Sequence, residues 1–357
     1  MDHYRRWDGR AVLVTGADGF VGAHFVEHVL MNTAARIVCL CSFSNGGLGS
    51  RLSSNERVSQ EMGHRVSVMY HDLRAPFSDM QVHKLRNLGV THVVNFASMS
   101  HVDHSISAPA AFIDNNVRLI TNILDLARKI ECRSFVQIST DEVYGPAYGG
   151  HRHKEWETIA PSNPYAASKA AQEAICFGYW RAYGTPVVIT NTMNNIGERQ
   201  SAEKFLPLIV RSVLQGNPVT IHAVGQTVGS RYYLHARNHA DAVMYVADSV
   251  VSYEAPGRQF PFARRPERFN VVGEMELTNL ELAEYVADVL NKKLRFELVD
   301  AHSARPGHDL RYALCGEKLS SLGWSAPVPL LESIKRTVLW YRDNPEWLHH
   351  SAYDGAT

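Results

Sequence analysis

A glycine-rich turn near the N-terminus constrains the fold of this chain more than any other feature. The apolar run AVLVT at residues 11–15 leads directly into the turn GADGFVG at residues 16–22, and a segment of helical period follows. Glycine permits a tight turn, and the free N–H groups and dipole of a helix N-terminus attract negative charge. We therefore expect a strand–turn–helix unit that binds the pyrophosphate of a dinucleotide, although an ordinary tight turn gives the same pattern. The candidate contacts are Gly16, Gly19, Phe20, Val21 and Gly22.

Apolar runs of strand length alternate with longer segments of helical period through the first half of the chain. Strands are expected at residues 11–15, 37–40, 66–70, 92–96, 135–139 and 187–190. Helices are expected at residues 21–31, 113–129 and 165–183, where apolar residues recur every three or four positions. This alternation predicts an α/β fold with a Rossmann-type, doubly wound parallel sheet.

The alternation of strands and helices is less regular in the second half of the chain. Short strands are expected near residues 219–222 and 269–272, and helices near 205–214 and 279–290. We expect residues 1–190 to form the dinucleotide-binding domain. Residues 191–357 should form mainly a smaller C-terminal α/β lobe that binds the substrate, with some segments returning to the main sheet. The basic stretch at residues 256–268 is interpreted as a solvated loop, with a phosphate-binding patch as the alternative.

The composition excludes some partners. Lys plus Arg and Asp plus Glu both number 36, so no global field attracts nucleic acid or an anionic membrane. The five cysteines form no Cys-x-x-Cys pair and have no histidine at zinc-finger spacing, so no metal site is expected. No signal peptide or membrane-spanning run is evident. We expect a soluble, cytoplasmic protein.

The end of the second expected strand lacks the acidic residue that usually holds the adenosine ribose of NAD. Cys41 stands there, followed by Ser42. Ser42 or Ser44 could hydrogen-bond the ribose or a 2′-phosphate, and Arg51 could reach that phosphate. NAD is the expected cofactor, and NADP stays open.

Further cofactor contacts are expected where the next two strands end. Asp72 is placed to accept a hydrogen bond from the adenine amine, although it could equally cap a helix. The other candidates are Leu73, Ala97 and Ser98.

Tyr165 and Lys169 form a Tyr-x-x-x-Lys pair at the start of an expected helix. This spacing puts the phenol and the ammonium one turn apart on one helix face. A neighbouring positive charge lowers the pKa of a phenol, so Tyr165 could take a proton from a sugar hydroxyl while hydride leaves the same carbon. The motif is common by chance and gains weight from its position after a phosphate turn.

The fifth expected strand ends in Thr140, Asp141 and Glu142. A dehydrogenase or epimerase needs only a hydroxyl beside the Tyr/Lys pair. Elimination of water also needs a base for a carbon acid and an acid for the departing hydroxyl, and the two carboxyl groups could supply both. A solvated loop or a helix cap is the alternative.

At these residues the chain resembles the extended short-chain dehydrogenases/reductases, and among them the nucleotide-sugar 4,6-dehydratases, in particular those acting on dTDP-glucose. The resemblance covers nearly the whole chain. It is carried by TGADGFVGAH (15–24), NFASMSHVDHSI (95–106), STDEVYG (139–145), NPYAASKAAQE (163–173), TNTMNNIG (190–197), EKFLPLIV (203–210) and RPGHDLRYAL (305–314). The Thr-Asp-Glu trio is the specific element, because related epimerases and decarboxylases usually lack it.

The resemblance implies a reaction and a role for each residue. Tyr165 would deprotonate the C4 hydroxyl during hydride transfer, with Thr140 bonded to that oxygen. Glu142 would then remove the C5 proton while Asp141 protonates the C6 hydroxyl, which leaves as water. Return of the hydride to C6 would give a 4-keto-6-deoxy sugar and an unchanged cofactor.

The resemblance also implies a nucleotide-diphosphate hexose as substrate and a homodimer as the assembly. The implied substrate contacts are Asn194, Lys204, Phe205, Arg231, Arg305 and His308. The dimer would form through the two helices at residues 113–129 and 165–183.

Several positions depart from the family pattern. They are Cys41, Met99, Met193, Ile196, His222, Tyr232, Tyr233 and His235, of which Ile196 is expected near the sugar pocket. The resemblance therefore supports the reaction more fully than the identity of the substrate. The nucleotide base and the hexose stay open. The alternatives are a nucleotide-sugar 4-epimerase or decarboxylase in which the two acids are idle, and a dinucleotide-sensing protein without turnover.

Overall fold

The structure is a computed structural model that describes residues 2–42, 50–253, 265–300 and 309–349. Its strands are β1 Ala11–Thr15, β2 Arg36–Cys41, β3 Val66–Tyr70, β4 Val90–Asn95, β5 Ser134–Thr140, β6 Val187–Thr192, β7 Asn194–Ile196, β8 Val219–Val224, β9 Thr227–Val228, β10 Ser230–His235, β11 Glu267–Val271, β12 Glu276–Thr278 and β13 Phe296–Asp300.

The helices are α1 Asp2–Arg5, α2 Phe20–Asn32, α3 Ser50–Ser53, α4 Glu56–Gln60, α5 Asp79–Asn87, α6 Val102–Ser107, α7 Pro109–Lys129, α8 Pro164–Tyr183, α9 Phe205–Gln215, α10 Ala236–Tyr253, α11 Asn279–Val289, α12 Glu317–Ser321 and α13 Leu330–Asp343. Two short 3₁₀ helices span Asp141–Tyr144 and Pro345–Leu348. Among the described residues, no helix is both long enough and apolar enough to cross a membrane.

The main sheet has seven strands in the order β11-β6-β5-β4-β1-β2-β3, and every pairing is parallel. One apolar core lies between the sheet and helices α2 and α10, and a second lies between the sheet and helices α7 and α8. This is the predicted doubly wound Rossmann sheet. The strand order reverses between β1 and β4, and ligands bind such sheets at this point, beyond the carboxyl ends of the strands.

Backbone packing explains the glycines of the turn between β1 and α2. Gly16 has a φ of +61°, and a Cβ there would lie 2.9 Å from the backbone nitrogen of Ala97. A Cβ on Gly22 would lie 2.2 Å from the carbonyl oxygen of Gly16. Helix α2 can therefore approach the turn this closely only because both positions lack side chains.

A smaller cluster of elements follows β6. It contains the sheets β12-β10-β7 and β13-β8-β9, covered by helices α9, α11 and α13 around a third apolar core. β11, which comes late in the chain, lies in the main sheet beside β6.

Part of the basic stretch differs from the prediction. Arg268 lies on β11, is buried, and forms an ion pair with Glu173 of α8. Arg265 stacks on Trp156, with the guanidinium 3.7 Å from the ring centre. The interpretation as a solvated loop is therefore wrong for Arg268, which is buried, whereas Arg265 is exposed while it contacts the ring. The arginines at 258 and 264 lie outside the described residues.

Candidate active site

The glycine turn opens onto the carboxyl end of β4. Thr15 Oγ1, at the end of β1, donates to Asn95 Oδ1 at 2.5 Å and accepts from the backbone N–H of Ala97 at 3.2 Å. Ala97 and Ser98, both candidate cofactor contacts, lie two and three residues after the end of β4. The turn and the β4 loop are thus held at the reversal point of the strand order.

A line of buried side chains connects this turn to Lys169 on α8. Its hydrogen bonds join Thr15 to Asn95 (2.5 Å), Asn95 to Gln137 (2.8 Å), Gln137 to Gln172 (3.0 Å) and Lys169 to Gln172 (2.7 Å). We call Thr15, Asn95, Gln137, Gln172 and Lys169 the buried polar row; each is at most 4% exposed. The row crosses three adjacent strands, β1, β4 and β5, before it reaches the helix.

The ammonium of Lys169 is held from two sides. It donates to the carbonyl oxygen of Ile138 and to Oε1 of Gln172, each at 2.7 Å. Burial lowers its pKa to about 8, against the opposing charge of Glu173. The side-chain amide of Gln172 is itself fixed, because its nitrogen donates to the carbonyl oxygen of Asn116 on α7 at 2.9 Å.

Tyr165 lies in the first turn of α8, on the same helix as Lys169. The expected lowering of its pKa by Lys169 is wrong for this structure. Burial, followed by the charges of Glu142 and Asp141, raises the pKa of the phenol, and a hydrogen bond with Thr140 offsets only part of the increase. The prediction failed because it considered the lysine alone and not the two carboxyl groups beside the phenol.

Thr140, Asp141 and Glu142 lie at the junction of β5 and the following 3₁₀ turn. Thr140 Oγ1 accepts from the backbone N–H of Glu142 at 3.3 Å and donates to Asp141 Oδ1 at 2.9 Å. Asp141 is 5% exposed, and its Oδ2 has no hydrogen-bond partner among the described residues. The trio is therefore not a solvated loop. Thr140 caps the 3₁₀ turn, and the two carboxyl groups follow it.

Burial raises the pKa of both carboxyl groups. For Asp141 the pKa rises to about 7, through burial first and then the charge of Glu142. The pKa of Glu142 is raised by burial, against a hydrogen bond from Asn163 and the charge of Arg231. The two groups and Tyr165 lie close enough to influence one another electrostatically. Both carboxyl groups thus hold a proton to higher pH than an exposed acid does, and Asn163 and Arg231 offset part of the rise at Glu142.

Asn163 was not singled out from the sequence. Its side-chain oxygen caps α8 by accepting from Ala166 N at 2.9 Å, while its nitrogen donates to Glu142 Oε2 at 3.0 Å. Asn before Pro at a helix start is a readable capping signal. Its second bond could not be read, because Glu142 is 21 residues away in the chain.

The candidate adenosine contacts lie at the ends of β2 and β3. Ser42 follows β2 directly, and Leu73 is buried just after β3. Asp72 forms an ion pair with Arg74, 2.6 Å between Oδ2 and Nη2, and accepts from the Arg74 backbone N–H. Asp72 does not cap a helix, because the next helix, α5, is capped by Ser78; its contact with adenine stays a prediction. Residue 44 lies outside the described residues.

Arg51 and Cys41 bear on the choice of cofactor. Arg51 is buried, and its guanidinium donates to the carbonyl oxygen of Arg199 and to Ser201 Oγ, each at 2.9 Å. It is therefore engaged inside the protein, which disfavours the proposed contact with a 2′-phosphate. Burial raises the pKa of the Cys41 thiol to about 11, so this side chain is neutral.

Two of the candidate substrate residues lie near the carboxyl pair. The charges of Arg231 and Lys204 both lower the pKa of Glu142. Arg231 donates to the backbone carbonyls of Ser230 and Leu310, and its guanidinium lies 4.8 Å from the ring centre of Tyr312.

The other substrate candidates are less informative. Asn194, on β7, is exposed, and Phe205, which begins α9, packs partly against the apolar core of the lobe. Arg305 and His308 lie outside the described residues.

The departures from the family pattern fall in different places. Ile196 is 2% exposed and belongs to the apolar core of the α9–α11–α13 cluster, and its place near the sugar pocket stays a prediction. Met193 packs with Val143 and Tyr144 directly behind the carboxyl pair. His235 binds Glu198, with 3.0 Å between Nε2 and Oε2.

A Rossmann sheet that carries this turn and a Tyr-x-x-x-Lys helix defines the extended short-chain dehydrogenase/reductase class. The family model described as GDP-mannose 4,6 dehydratase matches residues 13–337. Similar proteins include the dTDP-glucose 4,6-dehydratase of Streptomyces antibioticus, 33% identical, covering 94% of this chain and 93% of the relative. That of Salmonella typhimurium is 30% identical, covering 95% and 94%. The chain therefore belongs to the GDP-mannose 4,6-dehydratase family.

Solved structures agree with this assignment. The dTDP-glucose 4,6-dehydratase of Streptomyces venezuelae, determined with NAD bound, is similar with a TM-score of 0.78 and 32% identity, covering 94% of this chain and 98% of that one. The UDP-glucose 4-epimerase of Thermus thermophilus, also in complex with NAD, gives a TM-score of 0.76 and 27% identity, covering 93% and 99%. The fold is thus shared by dehydratases and epimerases.

Proposed function

We propose that this chain is a nucleotide-sugar 4,6-dehydratase that converts a nucleoside-diphosphate hexose into its 4-keto-6-deoxy derivative. One observation carries the proposal. Asp141 and Glu142, with raised pKa values, lie beside the phenol of Tyr165, in electrostatic contact with it. An epimerase has no use for two adjoining buried carboxyl groups at this place, whereas elimination of water needs both an acid and a base.

The chain suits NAD as its cofactor. The cradle formed by Gly16, Gly19 and Gly22 brings backbone N–H groups to a helix N-terminus, and a Cβ on any of the three would collide with backbone. Arg51 already donates to Arg199 and Ser201, which disfavours its use for a 2′-phosphate. The dehydratase and the epimerase described above were both determined with NAD.

The first half of the reaction uses Tyr165, Thr140 and Lys169. NAD, when bound, takes the hydride from C4, later returns it to C6, and brings a positively charged ring. Tyr165 accepts the proton of the C4 hydroxyl, and Thr140 hydrogen-bonds the same oxygen. Because burial and two carboxyl groups raise the pKa of Tyr165, the phenolate needs added positive charge. Lys169, held by Gln172 and the backbone, contributes part of it.

The second half uses the carboxyl pair. A ketone at C4 acidifies the C5 proton, which Glu142 removes. Asp141, with a pKa of about 7, still holds a proton near neutral pH and gives it to the C6 oxygen, which leaves as water. Asn163 orients Glu142 through its 3.0 Å hydrogen bond, which favours the ionised form and opposes part of the effect of burial.

The lobe formed mainly by residues 191–357 would hold the nucleotide and its phosphates. Arg231 and Lys204 are the cations that act on Glu142, so a diphosphate held by them lies next to the reacting sugar. Asn194, Phe205, Arg305 and His308 complete the proposed contacts. A substrate like dTDP-glucose is the first to test.

We also propose that the chain forms a homodimer through α7 and α8, which pack side by side in one chain. Ile113, on α7, is 44% exposed, which suits an interface. All five cysteines are free and buried, in keeping with a cytoplasmic location.

A panel of nucleotide sugars tests the reaction. The purified chain would be incubated with NAD and each sugar, and the masses of the products would be measured by mass spectrometry. Loss of one water from at least one nucleotide hexose is expected. Products of unchanged mass but inverted C4 configuration would support the epimerase instead, and loss of carbon dioxide would support a decarboxylase.

Glu142→Gln tests the division of labour. Oxidation at C4 should proceed while elimination stops, because the amide cannot take the C5 proton. Reduced cofactor should therefore accumulate on the enzyme, visible by absorbance, without loss of water. Glu284→Gln, an exposed change on α11, serves as the control and should behave like wild type. Normal turnover by Glu142→Gln would remove this residue from the mechanism.

A further inference from the structure

A second cluster of ionisable side chains lies outside the proposed active site, in the loop between the Asp141–Tyr144 turn and α8. It consists of His151, His153 and Glu157, and one donor atom from each lies within 4.8 Å of the others. Oε2 of Glu157 lies 2.8 Å from Nε2 of His151 and 2.9 Å from Nδ1 of His153. The proposed reaction uses none of the three.

We propose that His151, His153 and Glu157 bind a divalent first-row transition-metal ion such as Zn²⁺. Two imidazoles and one carboxylate form a donor set that such ions prefer, and a water molecule can take the fourth position because half of the His151 side chain is exposed. Tetrahedral bonds of about 2.0–2.1 Å put ligand atoms roughly 3.4 Å apart. The present separations require shifts of well under 2 Å.

The geometry of the histidines favours chelation. They are two residues apart in the chain, and their ring centres lie 4.8 Å apart, so both rings are on the same side of the segment. His153 also has the partner that metal-bound histidines usually have: with Nδ1 on the metal, its Nε2–H faces the carbonyl oxygen of Pro146 at 3.4 Å. Its ring is stacked on Tyr144, at an interplanar angle of 10°, which fixes its orientation.

The backbone that carries the two histidines is anchored. His153 N donates to the Ala313 carbonyl at 2.9 Å, and Cys315 N donates to the His153 carbonyl at 2.8 Å. Arg311 donates to the carbonyl oxygen of His151 at 2.7 Å. The ligands are thus partly preorganised, which reduces the ordering cost of binding.

Glu157 is ready to act as an anionic ligand. Its Oε2 lies within hydrogen-bond distance of His151 Nε2 and His153 Nδ1, so it faces both imidazoles. Oε1 accepts from Lys154 N at 2.9 Å, which orients the carboxylate. The bound ion would replace the two protons that the histidines share with Oε2. It would thereby link residues 151, 153 and 157 of this loop.

Calorimetric titration of the chelator-treated full chain with ZnCl₂ tests the proposal, with no substrate present. We expect one Zn²⁺ per chain. Glu157→Gln and the double change His151→Ala/His153→Ala should each weaken binding at least tenfold. His83→Ala removes a single exposed histidine from α5 and should leave binding unchanged.

Two further readouts keep the test decisive if the double variant does not fold. Cobalt(II) should give the intense visible bands of a four-coordinate site in wild type and lose them in Glu157→Gln. Zn²⁺ should also slow amide hydrogen exchange in residues 145–160 of wild type only. Equal Zn²⁺ affinity in wild type and Glu157→Gln, or no binding to wild type, would overturn the proposal. Because no substrate is involved, the result is independent of the dehydratase assignment.

Discussion

At the scale of single residues, Asp141 is a side chain whose environment opposes folding. Its carboxyl group is buried, one oxygen has no partner among the described residues, and Glu142 adds a like charge. A buried acid with a raised pKa weakens the folded state as soon as solution pH favours ionisation. Such a cost is common where a group is held for catalysis.

Asp141→Asn should therefore stabilise the cofactor-free chain in a pH-dependent way. Below pH 4 the acid is protonated in both states, whereas between pH 4 and about 7 only the unfolded chain releases the proton. We expect the gain in free energy of unfolding to be larger at pH 8 than at pH 5, by on the order of 2 kcal/mol.

Urea unfolding of both proteins at the two pH values measures this difference. Asp288→Asn, an exposed change on α11, is the matched control and should show no difference between them. A gain for Asp141→Asn that is equal at pH 5 and pH 8 would contradict the raised pKa.

At the scale of elements, the turn between β1 and α2 depends on glycine packing. Gly22→Ala would place a methyl group 2.2 Å from the carbonyl oxygen of Gly16. Neither the turn nor the start of α2 can move without disturbing its backbone. We therefore expect the free energy of unfolding to fall by about 1–3 kcal/mol and NAD binding to weaken. Gly150→Ala, which meets nothing within 4 Å, should change neither. Thermal unfolding and titration with NAD check both variants, and near-normal NAD affinity in Gly22→Ala would contradict the role of this contact.

Helix α8 contributes a second element-scale prediction through Gln172. Gln172→Leu removes one of the two acceptors of the Lys169 ammonium. The ammonium would be less firmly positioned, and a lower pKa would leave a smaller fraction of it protonated. We therefore expect kcat to fall at least tenfold, with little change in KM for the nucleotide sugar. Steady-state kinetics and the pH profile of kcat measure this. Gln60→Leu on α4, which removes an exposed glutamine, is the control. Unchanged kcat in Gln172→Leu would show that the backbone carbonyl of Ile138 alone positions the lysine.

The elements that sequence patterns predicted well are those with long apolar runs. The bounds of β1 and β3 agree with the prediction, and α7 begins four residues earlier than expected, at Pro109. The short strands β7, β9 and β12 were missed, because two or three residues carry no period. Arg268 was misread since its partner Glu173 is 95 residues away, and only the folded sheet brings the two together.

The candidate site was predictable in its membership and not in its electrostatics. Motif spacing gave Thr140, Asp141, Glu142, Tyr165 and Lys169 as neighbours. It could not give the direction of the Tyr165 pKa shift, because that depends on burial and on which charges face the phenol. The partners Asn163 and Gln172 were likewise not identified, because Asn163 acts on Glu142 of another element and Gln172 is held in place by Gln137 and Asn116 of other elements.

At the scale of the whole molecule, the proposed dimer makes a prediction about α7. Ile113→Lys should convert a dimer into a monomer, because a charge would replace an apolar side chain in the interface. Met80→Lys changes a side chain that is 83% exposed on α5, outside the proposed interface, and should leave the dimer intact. Analytical ultracentrifugation distinguishes the two masses. A wild-type chain that sediments as a monomer would exclude this assembly.

The buried polar row has a consequence for how this molecule can change. Its five side chains come from three strands and one helix, and each amide in it serves two neighbours at once. A substitution at one position leaves a desolvated donor or acceptor at the next, so tolerated changes must occur in matched pairs. Affinity for the dinucleotide and speed of turnover are consequently tied together, and selection or engineering cannot adjust one of them alone through these residues.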